Sequence, residues 1–458
     1  MRECTSTGDT VPTVALVGTL DTKGAEYRFL KRRIEVLGCE VVLVDVGVLG
    51  EPLVSPDISR SEVAAAAGVK IDRLVARGPR GAVVAAMARG ARSILAEMAA
   101  THRIDAVAGM GGSSGTSLVA LAVQGLPIGF PKMIVTTMAS GDTREFVGGS
   151  DVTLMHSVVD ISGLNQILRK VLGNAAAAIA GMARAHATPN GSVEPGPVIA
   201  ATMFGVTTAG VTAARRWLED HGYEVLVFHA NGAGGRSMEA LMRQGLITGV
   251  LDVTTTELAD ELIGGVLSAG PERLEVAGSL GLPQVVSLGS LDIANFGPIE
   301  TVPDRFRDRN LYAHNPAITL MRTTPEECAR LGEIVAAKLN AATGPVAVFV
   351  PLRGISAIAV EGGVFHDPMA DRALFGSLRA NLDPSIEVVE MDTDINDPKF
   401  ASAMAECVDR LYREWHRSGS YQQRDQIENP ERHSNERREA QSGNRHLSSP
   451  DRYSVPSP

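Results

Sequence analysis

Small and hydroxylated residues gather at Gly111-Gly112-Ser113-Ser114-Gly115-Thr116, directly after the apolar run Ala106 to Met110. Residues without bulk let a backbone approach a phosphate closely, and exposed N–H groups at a helix start favour an anion. Ser113, Ser114 and Thr116 add hydroxyl donors. The competing reading is a tight strand-to-helix turn capped by Ser and Thr.

Three more loops in the first half have suitable chemistry after a strand. Gly18 to Gly24 places Asp21 and Lys23 in a βα turn. Lys23 can meet phosphate charge, and Asp21 can hold Mg2+ or a hydroxyl. The spacing is neither that of a P-loop nor GxGxxG. Arg77-Gly78-Pro79-Arg80-Gly81 puts two guanidinium groups before a helix, which suits anions. Thr136, Thr137, Ser140, Gly141 and Asp142 form the fourth loop.

The second half carries polar loops of its own. Asn231 to Ser237 has three glycines and Arg236, the composition of an anion nest. Tyr312, His314, Asn315 and Arg322 fall within eleven residues. His314 with Glu257 or Asp292 would make an acid–base pair, against the alternative of a solvated or internally satisfied histidine. Arg353 and Ser356 follow an apolar strand and can grip a carboxylate or phosphate, with Glu361, His366 and Asp367 soon after. Asn231, Arg236, His314, Arg322 and Arg353 are the candidates for an anionic substrate. No GxSxG elbow, HExxH helix or Cys–His nucleophile signature occurs.

These loops need elements to hold them. Apolar, β-branched runs at Val14 to Val17, Glu40 to Val46, Ala106 to Met110 and Lys132 to Thr137 alternate with stretches of helical spacing. The pattern lapses in the proline-bearing segment Ala187 to Pro197 and restarts at Val198. The sequence predicts an α/β chain of two Rossmann-like, doubly wound, mainly parallel domains: 1–190, which binds nucleotide, and 197–415. Residues 418–458 are polar and almost free of aliphatics, the composition of a disordered tail.

The 458 residues include 43 basic and 53 acidic side chains, a formal net charge of −10, and no basic face is evident for nucleic acid. Cys4, Cys39, Cys328 and Cys407 are too scattered for a zinc site. Neither a signal-peptide core nor 18 consecutive apolar residues occur, so a cytoplasmic protein with no membrane partner is expected.

Six segments together resemble one family. They are GTLDTKG at 18–24, GMGGSSGT at 109–116, VTTMASGD at 135–142, HANGAGGRSME at 229–239, VLDVTTTELADEL at 250–262 and LYAHNPAITLMRTTPEE at 311–327. The family comprises bacterial and fungal proteins similar to the ATP-binding N-terminal region of the plant tobamovirus-resistance protein, and the likeness spans roughly residues 12–415. It implies two Rossmann-like subdomains, ATP binding in the first, and homodimers. By motif, the nucleotide contacts would be Asp21, Lys23, Arg77, Gly111, Gly112, Ser113, Ser114, Gly115 and Thr116. Two functions follow as expectations. One is an ATP-dependent enzyme, with Mg2+, acting on a small anionic metabolite in a cleft between the domains. The other is a nucleotide-responsive binding protein without turnover.

Overall fold

The structure, a computed structural model, describes residues 11–77, 80–188 and 196–419. The expected tail falls almost wholly outside them. The chain divides into two compact units, Met1–Pro195 and Gly196–Pro458.

The first unit runs β1 (Thr13–Gly18), α1 (Leu20–Val36), β2 (Glu40–Asp45), α2 (Arg60–Ala66), α3 (Ile71–Arg77), α4 (Arg80–Ala100), β3 (Ala106–Gly111), α5 (Ser113–Val123), β4 (Lys132–Thr136), α6 (Arg144–Val147), β5 (Thr153–His156) and α7 (Gln166–Ala187). Its strands form one parallel sheet in the order β2-β1-β3-β4-β5. Buried parallel strands need apolar side chains on both faces, and β1 supplies them alternately. Ala15 and Val17 pack with α2, α4 and α5, while Val14 and Leu16 pack with α1 and α7.

The second unit continues with β6 (Val198–Met203), α8 (Thr208–Asp220), β7 (Glu224–His229), α9 (Ala233–Arg243), β8 (Gly249–Thr254), α10 (Thr256–Ile263), α11 (Val276–Ser279) and β9 (Gln284–Gly289). There follow β10 (Ile293–Phe296), β11 (Leu311–Asn315), β12 (Ile318–Arg322), α12 (Pro325–Asn340), β13 (Val346–Pro351), α13 (Pro368–Asn381), β14 (Glu387–Met391) and α14 (Pro398–Arg417). Six strands make a second parallel sheet, β14-β13-β9-β8-β6-β7. The small antiparallel sheet β10-β12-β11 has no counterpart in the sequence reading. Its strands are four or five residues long and include polar positions, so their pattern is too brief to register.

Both parallel sheets have Rossmann-like character and one shared feature. Counting only the strands of each parallel sheet in chain order, both begin 2-1-3-4-5, the flavodoxin-like order. In that order the winding reverses between the first and third strands, and a crevice opens beyond their carboxyl ends.

Candidate functional site

In the first unit the reversal lies between β1 and β3. These strands pair from Val14↔Ala106 to Val17↔Gly109 and then part. Tyr27, fully buried on α1, fills the gap. Its hydroxyl donates to the Val17 carbonyl at 2.7 Å, lies 3.1 Å from the Met110 carbonyl, and accepts from the Met110 N–H at 2.8 Å. Burial holds this phenol far above its ordinary pKa, so it stays a neutral donor. Gly18 is required beside it, because a Cβ there would fall 1.9 Å from the Tyr27 oxygen.

A cavity of about 310 Å³ lies beyond this point, lined by Thr19, Asp21, Thr22 and Lys23 of the first turn and by Gly112 to Gly115 of the third. Much of the glycine-serine segment is itself helical. Helix α5 starts at Ser113, inside that segment, because Thr116 N–H already bonds to the Gly112 carbonyl at 2.8 Å. Gly112 is the N-cap and has no side chain to cap the first turn. Ser113, Ser114 and Gly115 line the cavity, and as the first residues of the helix their N–H groups have no intrahelical acceptor. A Cβ at Gly111 would lie 2.7 Å from the Gly115 backbone, whereas one at Gly112 would meet only Thr137 Oγ1 at 3.8 Å. Gly111 therefore serves packing, and Gly112 borders open space.

The other expected contacts differ in availability. Thr116 is buried, donates to the Gly111 carbonyl at 3.2 Å and lies 2.6 Å from Thr136 Oγ1, so its hydroxyl ties β3 to β4 instead of facing the cavity. Asp21 and Lys23 both line the cavity. Oδ2 of Asp21 accepts from Leu49 N–H at 2.7 Å and Gly50 N–H at 3.2 Å, while its buried Oδ1, lying against Gly47, has no hydrogen-bond partner. Lys23 donates to the Ile161 carbonyl. An ammonium has three donors, which leaves two for an anion. Arg77 closes α3, and its side chain lies outside the described residues, as do Gly78 and Pro79. The fourth loop contributes no lining residue, and Asp142 pairs with exposed Arg144.

The same cavity is lined by the apolar side chains Val46, Val48, Leu49, Val83, Met87 and Leu118. None of these stands out in the sequence as more than core. Asp45 is likewise a positioning residue that sequence reasoning passes over. Fully buried at the end of β2, it accepts from Leu20 N–H at 3.1 Å and Gly47 N–H at 2.9 Å. Burial raises its pKa, and those two N–H groups oppose the rise. A polar residue ending an apolar run was the available signal for it.

In the second unit the reversal lies between β6 and β8, and it is sealed. Thr202 Oγ1 donates to Asp252 at 2.7 Å, Thr254 N–H donates to Thr202 Oγ1 at 2.9 Å, and the Thr207 and Thr254 hydroxyls lie 2.8 Å apart. The expected anion nest at Asn231 to Ser237 already holds an anion. Glu257, fully buried, accepts from Gly232 N–H at 2.6 Å and Gly235 N–H at 3.1 Å. Arg273, also buried, pairs with Glu257 and Asp252, each at 2.6 Å.

The five substrate candidates do not converge. Asn231 accepts from Gly234 N–H at 3.1 Å, and Arg236 donates to the Ser268 carbonyl at 3.0 Å. His314 is exposed on β11, whereas Glu257 and Asp292 are buried with other partners. Arg322 is buried and bound to Asp371 at 2.7 Å and to the Phe365 carbonyl at 2.9 Å. Arg353 is exposed and held by both oxygens of Asp392, at 2.7 and 2.6 Å.

Residues 12–188 match the N-terminal domain, and residues 196–412 the C-terminal domain, of uncharacterised protein family UPF0261. The chain belongs to the UPF0261 family. A UPF0261 protein of Clostridium tetani is 50% identical over 393 residues, covering 86% of this chain and 97% of that one. The ToMV susceptible protein tm-1(GCR26) of Solanum lycopersicum is 38% identical over 419 residues, covering 86% of this chain and 55% of the tomato protein. Among solved structures, a UDP-N-acetylglucosamine 2-epimerase aligns over 82% of this chain and 92% of its own at 12% identity, with a TM-score of 0.21, which adds nothing to the fold described above. Among the described residues of this UPF0261 chain, no helix is long and apolar enough to cross a membrane.

Proposed function

We propose that the first unit binds ATP in the crevice between β1 and β3. The observation that carries this reading is the lining of the cavity, where the Thr19–Lys23 and Gly112–Gly115 turns meet at the point where a doubly wound sheet opens. The amide hydrogens of Ser113, Ser114 and Gly115 suit the triphosphate oxygens, with Lys23 adding positive charge. The apolar walls suit the base. A cavity of this size falls at the small end of ligand pockets, roughly 300–1,000 Å³. Among the described residues no group of three His, Cys, Asp or Glu side chains is placed to hold a metal, so Mg2+ would arrive with the nucleotide. The unpartnered Oδ1 of Asp21 fits that cation, whose ligands are oxygens.

An ATP-dependent enzyme acting on a small anionic metabolite is the function this site best serves. One observation favours the alternative, a nucleotide-responsive protein without turnover. Both charged side chains of the cavity already hold backbone groups, Asp21 those of Leu49 and Gly50 and Lys23 that of Ile161. Release of ADP from Mg-ATP above background, with candidate acids present, separates the two.

Calorimetric titration with Mg-ATP tests the placement. The wild-type chain binds saturably, and Gly112→Val, whose side chain would enter open space, lowers affinity by about a hundredfold or more without changing thermal unfolding of the free protein. Equal affinity in the variant refutes the site.

A further inference from the structure

The second unit has a cleft of its own at the carboxyl ends of β13 and β14. It encloses about 540 Å³ between the loops that follow those strands and one face of α13. Asp371, Phe375 and Arg379 repeat every four residues on that face, Arg372 precedes Phe375 by three, and all four line the cleft.

Most of the charge there is already matched. Arg353 is gripped by Asp392, Arg379 pairs with Glu390, and Asp371 holds Arg322. The amino end of α13 is closed by Asp367, which accepts from Met369 N–H at 3.0 Å and Ala370 N–H at 3.1 Å. Two groups keep free hydrogen-bonding capacity. Among the described residues, exposed Arg372 has no hydrogen-bond or ion-pair partner. His366 places Nδ1 3.3 Å from the Ala359 carbonyl. A carbonyl only accepts, so Nδ1 donates to it, and Nε2 is left without a hydrogen-bond partner among the described residues. Glu361 and Asp394 also line the cleft, and Asp394 accepts from Asn396 N–H at 2.8 Å.

We propose that this cleft binds a small polyhydroxylated acid, its carboxylate on Arg372 and its hydroxyls on His366, Glu361 and Asp394. A planar guanidinium fork matches a carboxylate. Acidic acceptors beside it would repel a plain polyanion but receive hydroxyl donors. Buried Phe375 supplies an apolar floor for the carbon chain. The inference uses no residue of the first unit and stands apart from the nucleotide reading.

The test titrates the full chain with gluconate, malate, inorganic phosphate and glucose, with and without Mg-ATP. Gluconate should bind saturably, more tightly than malate or phosphate, and glucose should not bind. Arg372→Ala should weaken gluconate by about tenfold or more, with Arg372→Lys intermediate, while ATP affinity and thermal unfolding stay at wild-type values. Absence of gluconate binding overturns the proposal, as does equal affinity in Arg372→Ala. Phosphate binding as tightly as gluconate overturns the hydroxyl part. A chain that binds gluconate but not ATP would keep this site and lose the nucleotide reading.

Discussion

The two parallel sheets begin with the same strand order, yet one reversal point is open and the other filled. In the first unit a tyrosine hydroxyl bridges β1 and β3, and the first residues of α5 line a cavity. In the second, threonine hydroxyls stitch the corresponding strands together, and Glu257 takes the amides at the start of α9. The loop Asn231 to Ser237 has three glycines and an arginine, so composition alone would rank it high as an anion site. Small residues make an anion site possible. Whether the chain keeps a carboxylate of its own for it decides if a ligand can enter.

The sharpest way to break this contrast is Glu257→Ala. It leaves Arg273 half paired and the Gly232 and Gly235 amides bare, so the second unit should lose about 3–5 kcal/mol in denaturant unfolding, with ATP affinity unchanged. A loss below ~1 kcal/mol would show that the nest does not depend on its internal carboxylate. Next come the two N-cap glycines. Gly112→Val should act on ligand affinity, as stated above. Gly232→Ala should act on stability, since its φ of 82° and a Cβ placed 2.5 Å from the Ser268 carbonyl both oppose a side chain. The backbone strain alone is worth about 1–2 kcal/mol, and a stable Gly232→Ala that lost ATP affinity would reverse the roles of the units.

Tyr27→Phe sharpens the account of the open crevice. It strips the Val17 carbonyl and the Met110 N–H of a buried partner and should cost about 1–3 kcal/mol of stability in chemical unfolding, with weaker ATP binding as β1 and β3 shift. An unchanged ATP affinity would mean the strands stay apart without the hydroxyl.

The smallest effect is one of pH and belongs to the sealed unit. Burial raises Asp260 to about 7 and Asp292 to about 6, both above the ordinary carboxylate value near 3.9. Between those limits the folded unit keeps protons that the unfolded chain releases. Their contribution is therefore whole below about pH 4 and is lost as pH rises through 6 and 7. Asp260→Asn should flatten the decline in melting temperature between pH 5 and 8, and an unaltered slope would exclude Asp260 as its source.

How much of this the sequence discloses depends on the range of the interaction. The runs Val14 to Val17, Ala106 to Met110 and Lys132 to Thr137 fall on β1, β3 and β4, since burial on both faces writes an apolar run into adjacent residues. The two turns of the cavity were legible for the same reason, each being a short segment after a strand. Glu257 lies 25 residues from Gly232, and Tyr27 lies 83 from Met110, so neither contact leaves a local pattern. Thr116 shows the same limit. Its residue type suits a ligand, but Thr136, twenty residues on, engages its hydroxyl. The contribution of α4 to the cavity, through Val83 and Met87, reads in sequence only as core.

A crystal structure of the full chain grown with a non-hydrolysable ATP analogue and Mg2+ addresses the central claim directly. Triphosphate oxygens should lie on the N–H groups of Ser113, Ser114 and Gly115, with Glu257 still seated on Gly232 and Gly235. A nucleotide found at the start of α9 in place of Glu257, or no nucleotide at saturating concentration, would contradict it.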